Sequence, residues 1–327
     1  MSDLGCVLIG RNEGERLVRC LDSVTGRAAH VVYVDSGSTD GSVDRALERG
    51  AEVVELDKTI PFTAARARNA GFEALRAARP AIDFVQFVDG DCEVVAGWLE
   101  GARAVLLARP ELAVVCGRRR ERAPEASIYN RLMDLEWDTP VGEATACGGD
   151  AMMRARAFEA VGGFDATLIA GEEPELCFRL REQGWKIERL DREMTRHDAA
   201  MSRFDQWWKR TVRSGYAFAE GAWMHGRSPE RYRVRETLRI LFWTLGIPAL
   251  AVGGAVPTLG ASLLLSAGYP LVVARTFART RRPGVPDEAA LAYALFTALG
   301  KLPELQGVLR FTRLRLRGQK AALIEYK

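Results

Sequence analysis

Short apolar runs alternate with segments of helical periodicity across the first 116 residues, and this alternation limits the possible folds more than any other feature. Predicted strands cover Cys6 to Ile9, His30 to Val34, Ala51 to Leu56, Ile82 to Val88 and Leu112 to Cys116. Predicted helices cover Glu13 to Val24, Ser42 to Arg49, Thr63 to Ala78 and Val94 to Ala108. Strands rich in Val and Ile and separated by helices are typical of a mostly parallel sheet with both faces covered. The sequence therefore predicts an α/β fold with helices flanking a mostly parallel sheet.

The fourth predicted strand ends in two carboxylates, Asp89 and Asp91, which are separated by Gly90. Open α/β sheets bind their ligands at the carboxyl ends of the strands. A pair of carboxylates there is a hard oxygen site suited to Mg²⁺ or Mn²⁺, with positions left for the phosphates of a nucleotide. The same three residues also describe an ordinary strand-to-turn junction, so this motif alone leaves both interpretations open.

Polar residues also follow the first two predicted strands: Arg11, Asn12 and Glu13 after the first, and Asp35, Ser36 and Asp40 after the second. A cation and an amide after the first strand suit a diphosphate or the edge of a base. Small polar residues after the second cap a helix and let a ligand approach the backbone closely. Asp35 and Asp40 are candidates to bind a base or a ribose. A solvated capping turn without a ligand is the alternative for both loops.

Composition excludes some classes of partner. The formal net charge of +3 is small, and no basic stretch is interleaved with aromatic residues, so we expect no nucleic-acid binding. The six cysteines are scattered without a C-x-x-C pair, which favours reduced thiols in a cytosolic compartment. The N-terminus leads straight into a strand without a signal peptide, so we expect the catalytic part in the cytoplasm.

No charged residue occurs in the 35 residues from Ile240 to Ala274. This length allows two short membrane spans of roughly 17 to 20 residues each. A plausible turn falls at Pro257 to Gly260, and arginines flank both ends of the run. The positive-inside rule then places both ends in the cytoplasm and predicts a membrane hairpin. Two alternatives stay open: a pair of buried helices in a soluble domain, and a re-entrant pair that dips into one leaflet.

These patterns predict four regions: a catalytic domain at 1–203, interfacial aromatic and basic helices at 204–239, the apolar hairpin at 240–274, and an amphipathic, basic tail at 275–327. In the second region, Trp207 and Trp208 lie among arginines ahead of the apolar run. Such residues fit an interfacial belt, and we list both tryptophans as acceptor-binding candidates. Ordinary aromatic packing is the alternative.

Four motifs in order resemble the family-2 glycosyltransferases of the GT-A fold. They are the strand ending in R-N-E, then V-D-S-G-S-T-D, then A-R-A-R-N-A-G at Ala65 to Gly71, then V-D-G-D. The similarity continues through Cys147-Gly148-Gly149-Asp150 and covers about the first 200 residues. It implies a nucleotide-sugar donor, with a UDP-sugar favoured, a divalent cation (Mn²⁺ or Mg²⁺), and inversion at the anomeric carbon.

The resemblance also implies roles for individual residues. Asp91 would bind the metal, Asp89 would contact the ribose or the metal, and Arg68 would lie near the phosphates. The donor-binding set is Arg11, Asn12, Glu13, Asp35, Ser36, Asp40, Arg68, Asp89 and Gly90. His197, which we place in a loop after a strand from Lys186 to Leu190, would complete the metal site, and imidazole is an acceptable Mn²⁺ ligand. An unremarkable loop histidine is the alternative.

The acidic motif of the family falls on Glu172, Glu173 and Glu175, with Glu where the family usually has Asp at the base position. We expect Glu173 to be the catalytic base, with Glu172 as the alternative. Pro174 at the first helical position would make Glu173 the N-cap, where the helix dipole would keep its carboxylate ionised. Glu175 would bind the acceptor or satisfy the end of the helix.

The predicted function is transfer of a sugar to a lipid-linked or other saccharide acceptor in cell-surface polysaccharide synthesis, at the cytoplasmic face of the inner membrane. A processive synthase is an alternative, but only the glutamine of its Q-x-x-R-W motif is present, at Gln206. A non-catalytic membrane scaffold with the same fold is another. A nucleotidyltransferase would need a glycine-rich first loop with a basic end, which the loop after the first strand does not supply.

Overall fold

The computed structural model describes residues 2–319, which divide into two compact units. The first unit comprises residues 2–123 and 136–199, and the second comprises residues 124–135 and 200–319. Residues 124–135 thus group with the second unit, although they lie inside the 1–203 region that the sequence suggests as one domain.

Nine strands form one sheet in the first unit as far as the chain is described. They are β1 Leu4–Gly10, β2 His30–Asp35, β3 Glu52–Glu55, β4 Phe84–Asp89, β5 Cys92–Val94, β6 Leu112–Glu121, β7 Gly142–Glu143, β8 Ala151–Arg154 and β9 Lys186–His197. Their order is β3-β2-β1-β4-β8-β6-β9-β5, with β7 paired to β9. The predicted α/β class is confirmed. The sheet is mixed, however, because β8 runs antiparallel between β4 and β6, and both β5 and β7 pair antiparallel with β9.

Helices cover the sheet of the first unit. They are α1 Glu15–Val24, α2 Ser42–Glu48, α3 Ala64–Ala78, α4 Trp98–Ala108, α6 Ala155–Ala160 and α7 Glu172–Glu182; between α4 and α6 the chain also forms α5, Ile128–Glu136. Helix α3 lies very close to the sheet, because a Cβ at Gly71 would stand 2.4 Å from Val7 Cγ1 and 2.8 Å from Val34 Cγ2. The side chain of Thr63 caps this helix by accepting the N–H of Arg66 at 3.1 Å. The cap and the glycine together fix where Arg68 lies.

The second unit is helical. It contains α8 Phe204–His225, α9 Val234–Leu241, a π-helical segment Phe242–Gly246, α10 Ile247–Gly253, a 3₁₀ segment Ala261–Ala267, α11 Gly268–Thr280, α12 Asp287–Leu299 and α13 Lys301–Leu316. Helices α8 and α13 touch through glycines, since a Cβ at Gly215 would stand 2.0 Å from the carbonyl oxygen of Glu304. A Cβ at Gly307 would likewise stand 2.1 Å from the carbonyl oxygen of Val212. Glycine therefore permits the close helix contact at the centre of this unit.

Three predicted boundaries are wrong in ways that bear on function. Strand β9 does not stop at Leu190 but continues to His197 because it pairs with β6 over its whole length. Helix α7 begins at Glu172 rather than at Pro174. The residues before Trp98 form the short strand β5 and a turn instead of the start of α4.

Candidate active site

The carboxyl ends of β1, β2 and β4 lie side by side in the first unit. Gly10 of β1 pairs in register with Asp35 of β2, and Ile9 pairs with Asp89 of β4. The loops that the sequence suggests for donor binding therefore leave the sheet at one edge, as the parallel pairing of these strands requires.

Asp35 holds its own loop together. Its side chain is buried, and Oδ2 accepts the backbone N–H groups of Gly37 and Ser38 at 2.8 Å each. Its Oδ1 accepts the hydroxyl of Tyr33 at 3.0 Å. The N–H of Ser36 is also used, because it donates to the carbonyl of Gly10 at 3.0 Å. The structure thus gives Asp35 and Ser36 roles in loop conformation, and nucleoside binding by either residue stays a prediction.

The loops after β1 and β2 are joined by hydrogen bonds. Asn12 Oδ1 accepts the N–H of Thr39 at 2.7 Å, and the N–H of Asn12 donates to Ser38 Oγ at 2.9 Å. Asp40 Oδ2 accepts the N–H of Gly14 at 2.9 Å. These bonds make one connected rim from the two predicted donor-binding loops.

The remaining residues of the first loop lie around this rim. The guanidinium carbon of Arg11 stands 5.8 Å from the centre of the Phe62 ring, within the range of a cation–π contact. Glu13 forms an ion pair at 2.8 Å with an arginine one turn later on α1. Gly90 donates its N–H to the carbonyl of Ile9 at 2.8 Å, and a Cβ there would stand 3.0 Å from that same oxygen. The first loop and the D-G-D turn are therefore in direct contact.

Arg68 links the D-G-D turn to helix α7. It is buried, its Nη2 donates to Asp89 Oδ1 at 2.7 Å, and its Nη1 donates to Glu172 Oε1 at 2.8 Å. Burial works to raise the pKa of Asp89, but Arg68 and Arg119 outweigh it and hold that pKa below its usual value. Asp89 is therefore ionised and fixed by a cation from α3.

Asp150, the last residue of the C-G-G-D motif, fixes the same turn from the opposite side. It is fully buried and accepts the backbone N–H of Asp89 at 3.0 Å and the hydroxyl of Thr195 at 2.7 Å. Its Oδ2 also lies 3.0 Å from Arg119 Nη2. A Cβ at Gly149 would stand 2.6 Å from Asp89 Oδ2, so any larger residue there would displace the Asp89 carboxylate. The C-G-G-D motif is visible in the sequence, but it predicts no role for Asp150. No sequence pattern indicates that Arg119 and Thr195 contact this aspartate.

His197 is the last residue of β9, not a loop residue. Strand pairing places it beside Cys92 of β5 and Glu121 of β6. Its ring also meets the Trp137 ring edge-on, with centroids 4.7 Å apart. Because three elements hold the imidazole, its position is set by the sheet.

Asp91 and His197 form the candidate metal site. Asp91 Oδ1 lies 3.3 Å from His197 Nε2, and these atoms and the Cys92 sulfur all lie within 4.8 Å of one another. Burial and the nearby Asp150 raise the pKa of the Cys92 thiol well above its usual value, so the sulfur stays protonated and is a poor ligand for a hard cation. A carboxylate with an imidazole fits Mn²⁺. The two predicted ligands are therefore together, whereas Asp89 is engaged by Arg68.

The start of α7 differs from the predicted one. Gly171, with φ of 76°, is the N-cap, so Glu172 and Glu173 are the first two helical residues and Pro174 is the third. The proposed N-cap position of Glu173 is thus wrong. Pro174 is still tolerated, because the first N–H groups of a helix have no partner within it.

Glu172 and Glu173 are electrostatically distinct. Glu172 is paired with Arg68, whereas Glu173 has no salt bridge within residues 2–319. Burial and the neighbouring Glu172 raise the pKa of Glu173 to about 7, against the opposing effect of Arg68. The expectation that the helix dipole keeps Glu173 ionised is therefore wrong. A carboxylate that titrates near neutrality is suited to general base catalysis, since its pKa is close to the pH of the reaction.

Glu175 has a structural role. Its carboxylate is buried and accepts three hydrogen bonds from Arg179, at 2.8, 2.8 and 3.0 Å. Arg179 also donates to the carbonyls of Val161 and Gly163. The pair ties α7 to the turn at residues 161–163, so of the two roles suggested by the sequence, the structure supports a structural one rather than acceptor binding.

The aromatic candidates of the second unit are packed within it. Trp207 is buried and meets Phe296 edge-on, with ring centroids 4.8 Å apart. Trp208 donates its indole N–H to Gln306 Oε1 at 2.8 Å. Gln206 Oε1 accepts two backbone N–H groups at the start of α8, so the one matching residue of Q-x-x-R-W caps a helix. Acceptor binding by Trp207 and Trp208 stays a prediction, and ordinary packing explains both contacts.

Residues 6–162 match the family model described as Glycosyl transferase family 2. The chain therefore carries a family-2 glycosyltransferase domain, as the motifs predicted. The matched segment includes the D-G-D turn, Arg68 and Asp150, and it ends before α7 and His197.

Two curated relatives are similar to part of the chain. A pre-mycofactocin glycosyltransferase of Mycobacterium tuberculosis is 27% identical over 207 residues, which are 60% of this chain and 43% of that protein. The succinoglycan biosynthesis protein ExoA of Rhizobium meliloti is 28% identical over 179 residues, 52% of this chain and 54% of that protein. The chain thus spans about half the length of these relatives or less.

Among solved structures, the fold is similar to that of a mannosyltransferase from Pyrobaculum calidifontis in complex with GDP-Man and Mn²⁺. The TM-score is 0.59 at 17% identity, covering 95% of this chain and 87% of that one. At this identity the likeness shows the fold, which is of the GT-A type with a helical C-terminal region.

Proposed function

We propose that this protein is an inverting, metal-dependent glycosyltransferase that moves a sugar from a nucleotide-sugar donor to the hydroxyl of an acceptor. The observation that carries this proposal is the first turn of α7, where Arg68 neutralises Glu172 and leaves Glu173 with a pKa of about 7. Of these two neighbouring glutamates, Glu172 is held by an ion pair with Arg68, and Glu173 is left as the proton acceptor. A non-catalytic scaffold has no need of that difference between the two.

Glu173 is the base in this proposal. Its carboxylate removes the proton from the acceptor hydroxyl as the hydroxyl oxygen attacks the anomeric carbon. The oxygen attacks from the face opposite the diphosphate, so the configuration inverts as the bond from that carbon to the diphosphate breaks and its electron pair leaves with the diphosphate. A single base is sufficient, because the leaving group departs as a phosphate anion and needs no acid of its own.

The leaving diphosphate would be held by the carboxyl ends of the strands. Asp91 and His197 would bind Mn²⁺ or Mg²⁺, with Asp89 beside them, and the bound cation would neutralise the charge that develops on the diphosphate. Arg11, Asn12 and the loop from Asp35 to Asp40 would contact the nucleoside. We favour a UDP-sugar as donor, on the family resemblance.

For the acceptor we propose a lipid-linked saccharide at the cytoplasmic face of the inner membrane, in the synthesis of a surface polysaccharide. Support comes from two apolar helices, Val234–Gly253 and Ala261–Thr280, of which little is buried within the protein. Further support comes from the name of one relative, a succinoglycan biosynthesis protein. An assay in which only water-soluble saccharides accept the sugar would refute this part.

The test is nucleotide release from a panel of UDP-, GDP- and dTDP-sugars by detergent-purified protein, with and without Mn²⁺. We expect turnover of one donor, lost on chelation and reduced about 100- to 1000-fold in Asp91→Asn, the range found when one stabilising group is removed from a transition state. Glu173→Gln should lose transfer to the acceptor but retain metal-dependent nucleotide binding. Below pH 7 the wild-type rate should fall as Glu173 becomes protonated.

Matched controls are Asp44→Asn and Glu73→Gln, which neutralise exposed carboxylates on α2 and α3. Both should keep wild-type turnover. Absence of turnover with every donor, together with absence of metal-dependent nucleotide binding, would favour the scaffold instead.

A further inference from the structure

The second unit presents an apolar hairpin, defined here as residues 234–280. Its arms Val234–Gly253 and Ala261–Thr280 have mean hydropathies of 1.2 and 1.3, and little of either is buried. The tip is the most exposed part, with Val256 at 87% and Leu259 at 97% of full exposure. A continuous apolar surface of this kind marks a site that another phase or partner covers.

Charge identifies a lipid bilayer as that partner. The part from Ile240 to Ala274 is free of charge. Arginines stand at the base of both arms: Arg231, Arg233, Arg235 and Arg239 before it, and Arg275, Arg279, Arg281 and Arg282 after it. Anionic lipid head groups attract such residues, whereas an apolar protein partner would not require them. Trp243 and Tyr269 lie near the same base, where aromatic side chains favour the membrane interface.

Polar groups at the tip are hydrogen-bonded to one another. The hydroxyl of Thr258 donates to the carbonyl of Gly254 at 2.6 Å and accepts the N–H of Ser262 at 3.0 Å. The N–H of Gly260 donates to the carbonyl of Ala255 at 2.7 Å. A loop in water or among head groups does not need internal hydrogen bonds, because water satisfies its polar groups. A turn inside hydrocarbon needs them, because no water is available there.

The two arms are fastened to each other by the same kind of bond. Ser262 Oγ donates to the carbonyl of Ala251 at 2.7 Å near the tip, and the Tyr269 hydroxyl donates to the carbonyl of Trp243 at 2.6 Å near the base. Both hydroxyls therefore face the partner arm's backbone and are satisfied without water. The hairpin is a closed unit whose outer surface is apolar.

The hairpin is too short to cross a bilayer. From Ile240 to Val256 at the tip, the charge-free chain extends at most about 26 Å at about 1.5 Å per residue, against a hydrocarbon core of about 30 Å. The arm cannot slide further in, because Thr237 donates to the carbonyl of Phe218 on α8 at 3.1 Å and Ile240 is fully buried in the protein. The tip also has no charged residue that would hold it among the far head groups.

We infer that the hairpin is re-entrant: both arms enter and leave the same leaflet, and the tip at residues 254–260 ends within the hydrocarbon. This inference rests on the membrane attachment in the proposed function and specifies its form. In place of two membrane spans, the hairpin forms one insertion whose tip does not reach the water on the opposite side of the bilayer.

The test uses full-length protein reconstituted into sealed vesicles of phosphatidylcholine and phosphatidylglycerol. Val256→Cys places a thiol at the tip, and Pro283→Cys places one on the exposed turn after the second arm. The six native cysteines are buried, and unsubstituted protein supplies the background reaction. A membrane-impermeant maleimide is supplied outside the vesicles or inside them, and a nitroxide attached at each thiol reports depth.

We expect Val256→Cys to react from neither side until detergent is added, with its nitroxide in the hydrocarbon and remote from both head-group regions. Pro283→Cys should react without detergent. Reaction of Val256→Cys from the side opposite Pro283→Cys, or a nitroxide at the far head groups, would show a spanning hairpin and overturn the inference. Reaction from the same side would show that the tip is not inserted.

Donor turnover measured on the same variants in detergent separates this inference from the proposed function. Both substitutions lie outside the first unit, so turnover should match the unsubstituted protein. Loss of the predicted topology with turnover retained refutes the re-entrant hairpin alone. Absence of turnover with the predicted topology refutes the transferase alone.

Discussion

The two units depart from the usual distribution of side chains in opposite directions. The first buries charge: Arg68, Asp150 and Glu172 are each less than a tenth exposed. The second exposes apolar residues, such as Leu264 at 75% and Leu259 at 97%. Buried charge is costly unless it is paired, and exposed apolar area is unfavourable unless something covers it.

The two units differ in whether the unfavourable side chains, buried charges in one and exposed apolar residues in the other, find partners within the protein. Arg68, Asp150 and Glu172 each have an oppositely charged partner inside the first unit. In the apolar hairpin the hydroxyls of Thr258, Ser262 and Tyr269 are satisfied internally, but leucines and valines such as Leu250, Val252 and Leu264 are more than half exposed. The buried charges of the first unit are therefore compensated within the protein. The exposed apolar surface of the second unit needs a surrounding lipid phase to cover it.

The largest effect should come from breaking the charge network at its centre. Arg68→Met leaves the buried Glu172 and the partly buried Asp89 without their shared cation, so the free energy of unfolding of the first unit should fall by about 3–5 kcal/mol. Urea denaturation followed by circular dichroism measures this. Arg45→Met, on α2, removes an exposed pair with Glu15 and should cost no more than about 1 kcal/mol. Equal losses in the two variants would show that burial of the Arg68 pairs does not matter.

Next in size is the dependence of stability on pH. The folded-state pKa of Glu173 is raised from 4.5 to about 7. Its contribution is fully present below pH 4.5 and is lost as the pH rises through about 7, because the ionised form is disfavoured in the folded protein. Relative to wild type, Glu173→Gln should therefore gain roughly 1–3 kcal/mol between pH 4.5 and pH 8. Glu73→Gln, at an exposed site, should show no such gain. A constant difference between Glu173→Gln and wild type across this range would contradict the raised pKa.

An effect of similar size should follow from removing one hydrogen bond to Asp150. Thr195→Val keeps the shape of the side chain but takes away the hydroxyl that donates to Asp150 Oδ2 at 2.7 Å. Loss of a hydrogen bond to a buried charged group should cost about 1.5–3 kcal/mol of stability. Thr167→Val removes a comparable bond to Asp165 at an exposed turn and should be close to neutral. If Thr195→Val is as stable as wild type, the donors left to Asp150 are sufficient without it.

The sequence predicts the local parts of this molecule better than the long-range ones. The strand that ends at Asp89 and the helix that carries Arg68 each follow from patterns within about twenty residues, the range over which periodicity operates. The bond between Arg68 and Glu172 joins residues 104 positions apart, so no local pattern indicates it. The family resemblance predicts His197 as a metal ligand, but its place beside Cys92 depends on the register of β9, which only the folded sheet sets. The raised pKa of Glu173 likewise depends on burial that no motif contains.

The smallest predicted effect tests the other side of the comparison. Leu264→Asn replaces a leucine that is 75% exposed on the second arm of the hairpin. If lipid covers this residue, binding to vesicles of phosphatidylcholine and phosphatidylglycerol should weaken roughly tenfold, since burying a leucine contributes about 1.5–3 kcal/mol. Stability in detergent-free buffer should change by no more than about 0.5 kcal/mol, as for other surface sites. Leu47→Asn replaces a leucine that is 55% exposed on α2 of the first unit and should leave vesicle binding unchanged. Flotation of both variants with vesicles measures this binding. If the two variants bind equally, lipid covers the exposed leucines of the hairpin no more than those of the first unit. The distinction between the two units would then fail.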